Sequence, residues 1–229
     1  MMKQQKGISR RSFVAGMAGS SLMMGMGSLV TGCSAEQASE AMASGDLSKV
    51  FSPNIWFELN GAGDVLINVV RAEMGQHVGT SLAQIVAAEL GADWSKVTFK
   101  HVDTDPEWGV MVTGGSWSVH TSFTMLSQAG AAGRTLLIDA AAKLMGVAAD
   151  SCMAENGVVS SGSKSLTFAE IVSNGDFSRT LSEDELAAMP VKASAERTVI
   201  GRDVRNLDVA PKSEGSAVYG LDAELPGMA

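Results

Sequence analysis

Cysteine is almost missing from this chain: Cys33 and Cys152 are the two present in 229 residues. Neither lies in a Cys-x-x-Cys pair or a Cys/His run. That excludes an iron–sulfur cluster or a structural zinc site built from the chain's own ligands. His77, His101 and His120 fall in three separate segments and form no ligand run. Basic residues are outnumbered 17 to 25 and aromatics make up only 5%, so the clustered cations of a nucleic-acid surface are missing and nucleic acid is excluded as a partner. There is no Gly-x-x-x-x-Gly-Lys-Ser/Thr phosphate loop and no Gly-x-Ser-x-Gly elbow. Cys152, with no histidine partner in sequence, reads as a packed small side chain. The apolar content of 45% is enough for one or two domains with a real core.

Long apolar runs are also few. The one that approaches a membrane span, Phe13 to Val30, is rich in Gly, Ser and Met and makes a poor permanent span. Lys3, Lys6, Arg10 and Arg11 precede it, and Ser9-Arg10-Arg11-Ser12-Phe13-Val14 resembles a twin-arginine motif. Residues 1–33 are therefore expected to be an export signal, with a periplasmic destination. Val30-Thr31-Gly32-Cys33 resembles a lipobox, in which Cys33 becomes the lipidated first residue and anchors the protein to the membrane surface. A cut after Ala41-Met42-Ala43 is the competing reading. Removal of a signal ending before Cys33 takes four of the 17 basic residues and none of the 25 acidic ones, leaving a charge near −12. Residues 34–52, small and Ala/Ser-rich, read as a tether.

The mature part is organised around Arg71-Ala72-Glu73-Met74-Gly75-Gln76-His77-Val78-Gly79-Thr80. Val65 to Val70 predicts a strand, and Leu82, Ile85, Val86 and Leu90 follow at helical spacing. A glycine-containing loop that opens a helix presents unpaired amides and the positive end of the helix dipole, which suits an anion. Gly75 and Gly79 allow close backbone approach, and the Gln76 amide both donates and accepts. An ordinary turn whose glycines serve geometry alone is the competing reading.

A second stretch repeats the arrangement. After an alternating strand, Val97 to Val102, the run Thr113-Gly114-Gly115-Ser116-Trp117-Ser118 leads into a long helical pattern through Leu144. Glycines and hydroxyls at a helix mouth cradle phosphate or pyrophosphate, and equally make a helix cap with a flexible lead-in. Gly130 and Gly133 inside that helix imply close packing against a neighbour, because each otherwise costs up to about 1 kcal/mol. Asn60 to Asp64 and Asn156-Gly157 mark hairpins, and Leu166 to Val172 a short helix. An acidic, polar linker is expected over 174–195. Residues from Arg197 read as strands and turns too few to bury a core of their own.

Taken together, Glu-Met-Gly-Gln at 73–76, Thr-Gly-Gly-Ser at 113–116, Gly-Ser-Ala-Val-Tyr-Gly-Leu-Asp at 215–222 and Leu-Pro-Gly-Met at 225–228 resemble one family. It is the molybdopterin-binding large subunit of isoquinoline 1-oxidoreductase and related aldehyde dehydrogenases, in the xanthine dehydrogenase superfamily. The resemblance covers the mature chain but only the front of the family's large chain. It implies that residues 53–190 form the N-terminal part of the molybdopterin-binding domain, and that residues 191–229 open a truncated a/b hammerhead domain. It implies a molybdopterin dinucleotide carrying molybdenum, with Gly75, Gln76 and His77 near the pyranopterin and Thr113, Gly114, Gly115, Ser116 and Ser118 at the phosphates. It implies a small aldehyde or N-heterocycle as substrate, water as oxygen source, a separate iron–sulfur subunit, and the remainder of the large subunit.

Two departures accompany the resemblance. His77 stands where the family has a second glycine, so a torsion favouring glycine would strain it. The family's catalytic glutamate belongs to the later part, so no catalytic residue is expected here and Glu73 is assigned to the loop. The expected fold is α+β: a small mixed sheet with two main helices, followed by an incomplete β segment. Three functional readings follow: the front part of an enzyme that is inactive alone, an exported lipoprotein-like binding module, or an inactive truncated product.

Overall fold

Four short strands build the first sheet: β1 (Val50–Asn54), β2 (Phe57–Asn60), β3 (Val65–Val69) and β4 (Val97–His101). The order is β1-β2-β3-β4, antiparallel up to β3 and then parallel, with Val65 opposite Val97. The computed structural model describes residues 48–219 together with residues 222, 224, 226 and 227. The expected signal, Cys33, the tether up to residue 47, and Gly220, Leu221, Leu225 and Met228 of the C-terminal motifs lie outside the described residues.

The hairpin between β2 and β3 forms as expected, and Asn60 closes it: its Oδ1 accepts from the amides of Ala62 and Asp64, each at 2.9 Å. The parallel step from β3 to β4 needs a crossover. Helix α1 (Val78–Leu90) supplies it, burying the predicted Leu82, Ile85, Val86 and Leu90. The long pattern after Trp117 is α2 (Ser118–Met145), laid against α1. Gly130 lets α2 lie close on α1, and Gly133 lets it lie close on Phe57 of β2. An added Cβ would lie 2.7 Å from the Val86 carbonyl oxygen at Gly130 and 2.4 Å from Phe57 Cζ at Gly133.

A second antiparallel sheet follows, β5 (Met153–Glu155), β6 (Val158–Ser161) and β7 (Lys164–Thr167). Its first turn carries Asn156 and Gly157 at φ 48° and 75°, as an Asn-Gly hairpin requires. Helix α3 (Phe168–Asn174) starts after Leu166 because the Thr167–Glu170 capping box fixes its first turn. The architecture is thus α+β, with a small mixed sheet, a second sheet and two main helices.

Three local expectations differ from the structure. β1 begins inside the stretch read as tether. The acidic stretch 174–195 contains a helix, α4 (Glu183–Ala187), set by a Ser182–Glu185 capping box. Beyond Arg197 the described residues form turns and helix α5 (Val209–Glu214) rather than strands; Gly215, at φ 77°, ends that helix.

The chain after α4 is fastened to the two main helices through a fully buried carboxylate. Glu89 of α1 meets Arg134 of α2 at 3.3 Å and Arg197 at 3.1 Å, and accepts the Lys192 amide at 2.9 Å. Arg197 also lies 5.0 Å from the Phe123 ring centre, over its face. The Glu89 carboxylate persists in the interior because two guanidiniums and a backbone amide answer its charge. Among the described residues, no helix is long and apolar enough to cross a membrane.

Candidate functional site

β3 ends beneath a loop, 71–77, that closes on itself. Glu73 Oε1 accepts the amides of Gly75 at 2.7 Å and His77 at 3.1 Å. Gln76 works from the other side: its Oε1 accepts the Met74 amide at 2.5 Å and its Nε2 donates to the Ala72 carbonyl at 2.9 Å. The anion expected at this helix mouth is therefore already present on its two loop amides, as the Glu73 carboxylate. His77 caps α1 in the left-handed region, φ 55° and ψ 35°. That is the glycine-favouring torsion, at a cost on the order of 1–2 kcal/mol for an L residue. Its imidazole turns to Asp208, with Nδ1 2.8 Å from Oδ1.

Asp208 belongs to a four-membered polar cluster. Lys212 Nζ lies 2.5 Å from Asp208 Oδ2 and 3.1 Å from Glu73 Oε1. Burial pushes the Glu73 carboxyl up, but the His77 amide, the Lys212 ammonium and the Gly75 amide outweigh it, and the net result is below the ordinary value. Burial is likewise overcome at Asp208, which Lys212 and His77 hold low. Lys212 is raised, its two carboxylates outweighing its own desolvation. The ligand atoms of Glu73, His77 and Asp208 lie within 4.8 Å of one another, a spacing that would suit a metal ion. The Lys212 ammonium is the cation these carboxylates hold.

The second loop is held by the residue that closes β3's strand run. Arg71 is buried, and its Nη1 donates to the carbonyls of Val110 at 3.0 Å and Val112 at 2.6 Å. Its Nη2 donates to Thr121 Oγ1 at 3.1 Å, reaching the first turn of α2. The Ala72 amide donates to Thr113 Oγ1 at 2.8 Å, a direct link between the loops. Beyond Thr113 the chain turns sharply: Gly115 and Ser116 both sit at φ 59°, and the Trp117 amide donates to the Gly114 carbonyl at 3.2 Å. A serine held there is an uncommon backbone state, of the kind concentrated at functional loops.

The two helix mouths open on one cleft of about 390 Å³. Of the residues read from sequence, Gln76, Thr113, Gly114, Gly115, Ser116 and Ser118 line it together with Met74, Val78, Ser81 and Val119. Gly75 and His77 are not among the residues that line it. Among the described residues no charged side chain lines the cleft, so its donors are hydroxyls, backbone amides and the dipole of α2. Met74, Val110, Val112 and Trp117 leave an exposed apolar rim beside it.

Sequence reasoning missed Arg71, Ser81, Asp208 and Lys212. Arg71 did carry a signal, a lone cation ending an apolar strand just before a glycine loop. The link of Asp208 and Lys212 to the loop carried none, since His77 lies more than 130 residues away from both.

A family profile described as the molybdopterin cofactor-binding domain matches residues 5–203. The chain is 41% identical over 227 residues to a Gluconacetobacter polyoxogenes protein, covering 99% of this chain and 29% of that one. That relative is named membrane-bound aldehyde dehydrogenase, with pyrroloquinoline-quinone given in the name. Identity is 28% over 239 residues with the beta chain of Brevundimonas diminuta isoquinoline 1-oxidoreductase, 86% of this chain and 31% of the relative. It is 31% over 159 residues with the B chain of Pseudomonas putida nicotinate dehydrogenase, 68% and 13% respectively. The chain spans less than a third of each of these three relatives.

Proposed function

This chain belongs to the molybdopterin cofactor-binding domain family, and on that footing we propose that it is the front portion of a molybdenum hydroxylase large chain. The reaction would be oxidation of an aldehyde or an N-heterocycle, with oxygen taken from water. The carrying observation is the shared cleft, where Gln76 and the 113–118 loop face one space.

The residues present fit one end of such a cofactor. An added Cβ at Gly75 or Gly114 would meet nothing within 4 Å, so the backbone there is open to close approach. Thr113, Ser116 and Ser118 add hydroxyls at the mouth of α2, a donor set suited to phosphate oxygens. In this reading Thr113, Gly114, Gly115, Ser116 and Ser118 hold the dinucleotide phosphates, and Gln76 forms the wall against the pyranopterin. Gly75 gives that wall room, while His77 acts through Asp208. When bound, the molybdenum cofactor supplies the redox centre that takes up the substrate's electrons. The chain's own residues bind and orient it; the Glu73 carboxylate is committed to two amides and Lys212, and none of the site residues is assigned as a catalytic base.

The profile match over residues 5–203, which is to a molybdopterin cofactor-binding domain, favours the pterin over the quinone in the name of the Gluconacetobacter relative. The exposed rim of Met74, Val110, Val112 and Trp117 supports closure of the site by the remainder of the large chain. A separate iron–sulfur subunit would carry electrons away, in keeping with the names of the Brevundimonas and Pseudomonas relatives, each of which denotes one chain of several. Residues 1–33 are proposed to direct periplasmic export, with Cys33 as the lipidation site; the intact mass of the mature protein reports which cut is made.

The test is cofactor analysis of the chain alone and assembled with the segment that follows it in its relatives. Alone, it should hold sub-stoichiometric molybdenum; assembled, one molybdenum and one pterin. Full molybdenum with aldehyde turnover in the isolated chain would overturn the dependence on the remainder. A quinone and no pterin in the assembly would overturn the assignment.

A further inference from the structure

The loop that walls the cleft is held by a side chain far along the sequence. Glu73 Oε1 takes three donors at once: the amides of Gly75 and His77, and the ammonium of Lys212. Two amides alone would leave that carboxylate, which is mostly buried, without a counter-charge, an expensive arrangement in a low-dielectric setting. Lys212 supplies the charge and is itself aimed by Asp208, one helical turn before it at the start of α5. Asp208 in turn holds the His77 imidazole, and next to it the Leu207 amide donates to Thr80 Oγ1 at 3.0 Å on α1. The segment 207–212 thus grips the loop at Glu73 and His77 and the first turn of α1 at Thr80.

We propose that Lys212 is a positioning residue for the cofactor loop: its ammonium keeps Glu73 seated on the Gly75 and His77 amides, which fixes the backbone that presents Gln76 to the cleft. The relevance of this to a cofactor rests on the reading above; the positioning is testable without one. Seating of α5 and shape of the cleft wall are then one event. A displaced α5 releases Glu73, uncovers the two amides and loosens the Gln76 wall.

Hydrogen exchange on the full chain, without cofactor, tests this. In Lys212→Met the amides of Gly75 and His77 should exchange at least tenfold faster, while those of Ala131 and Ala132 inside α2 keep their rates. Lys212→Arg should restore most of the protection, since it returns the charge. The pH at which the Gly75 amide shift follows Glu73 protonation should rise in Lys212→Met and not in Lys212→Arg. Unchanged exchange at Gly75 and His77, or an equal rise throughout the molecule, would overturn the proposal. Cofactor content of the assembled protein separates the two ideas: a wild-type assembly without pterin defeats the function proposed above and leaves the exchange result standing.

Discussion

The amide of Ala72 donates to the hydroxyl of Thr113 at 2.8 Å, so the loop after β3 and the loop before α2 are bonded to each other where the cleft begins. Thr113→Ala should remove that bond and leave the Ala72 amide without its protein acceptor, at a cost of about 1 kcal/mol. Thr113→Ser should keep it. Denaturant midpoints of the two variants check this, with faster exchange at Ala72 in the alanine variant alone.

Arg71 binds two carbonyls of the second loop and a hydroxyl of α2 from a buried position. Lysine cannot reproduce that fork. Arg71→Lys should cost about 2–4 kcal/mol, a loss typical of a broken buried network. It should also free the 109–117 stretch for cleavage, and limited proteolysis should cut there first. Equal resistance in variant and wild type would contradict the clamp.

Glu89 is buried with two arginines and a backbone amide around it. Glu89→Gln keeps the shape and leaves two cations without their counter-charge. Loss of one partner from a buried ion group costs about 3–5 kcal/mol. Thermal unfolding should fall sharply, whereas truncating the exposed Asp203 to Ala should barely move it.

Acid should act through the cluster at α5. Glu73 and Asp208 lie below their ordinary values of 4.5 and 3.8. Groups lowered in the folded state add stability that is fully present above those ordinary values and is lost as pH falls through the lowered ones. Stability should therefore drop below about pH 4.5, and Glu73→Gln should flatten part of that decline. An identical acid limb in the variant would remove Glu73 from the account.

Gly133→Ala sets two effects against each other. Replacing a helix-interior glycine gains up to about 1 kcal/mol. The new methyl would lie 2.4 Å from Phe57 Cζ, and overpacking costs about 1–3 kcal/mol, so repulsion wins and urea unfolding should come earlier.

Features with local causes could be read from the sequence. The 60–64 and 156–157 hairpins are written in Asn and Gly, α1 in its apolar spacing, and both loops in glycines and hydroxyls beside a helix start. The close packing of α2 was legible in Gly130 and Gly133. What escaped depends on distant contacts. β1 and β7 are short, with at most one buried residue each, and form because neighbours pair with them. Asp208 and Lys212 look like ordinary charges on a short helix until folding brings them to Glu73 and His77. Even the first loop hid its chemistry: spacing exposed the helix mouth, but only the fold shows that Glu73 already occupies its loop amides.

Gly114 offers the most direct test of a cofactor seated between the two loops. Its backbone torsion does not require glycine, and an added Cβ would touch nothing in the protein, yet it lines the cleft. Molybdenum and pterin per chain should be measured in the assembled Gly114→Val protein beside wild type, together with the unfolding temperature. The account predicts an unchanged unfolding temperature and at least a tenfold loss of cofactor. Wild-type cofactor content in that variant would contradict it.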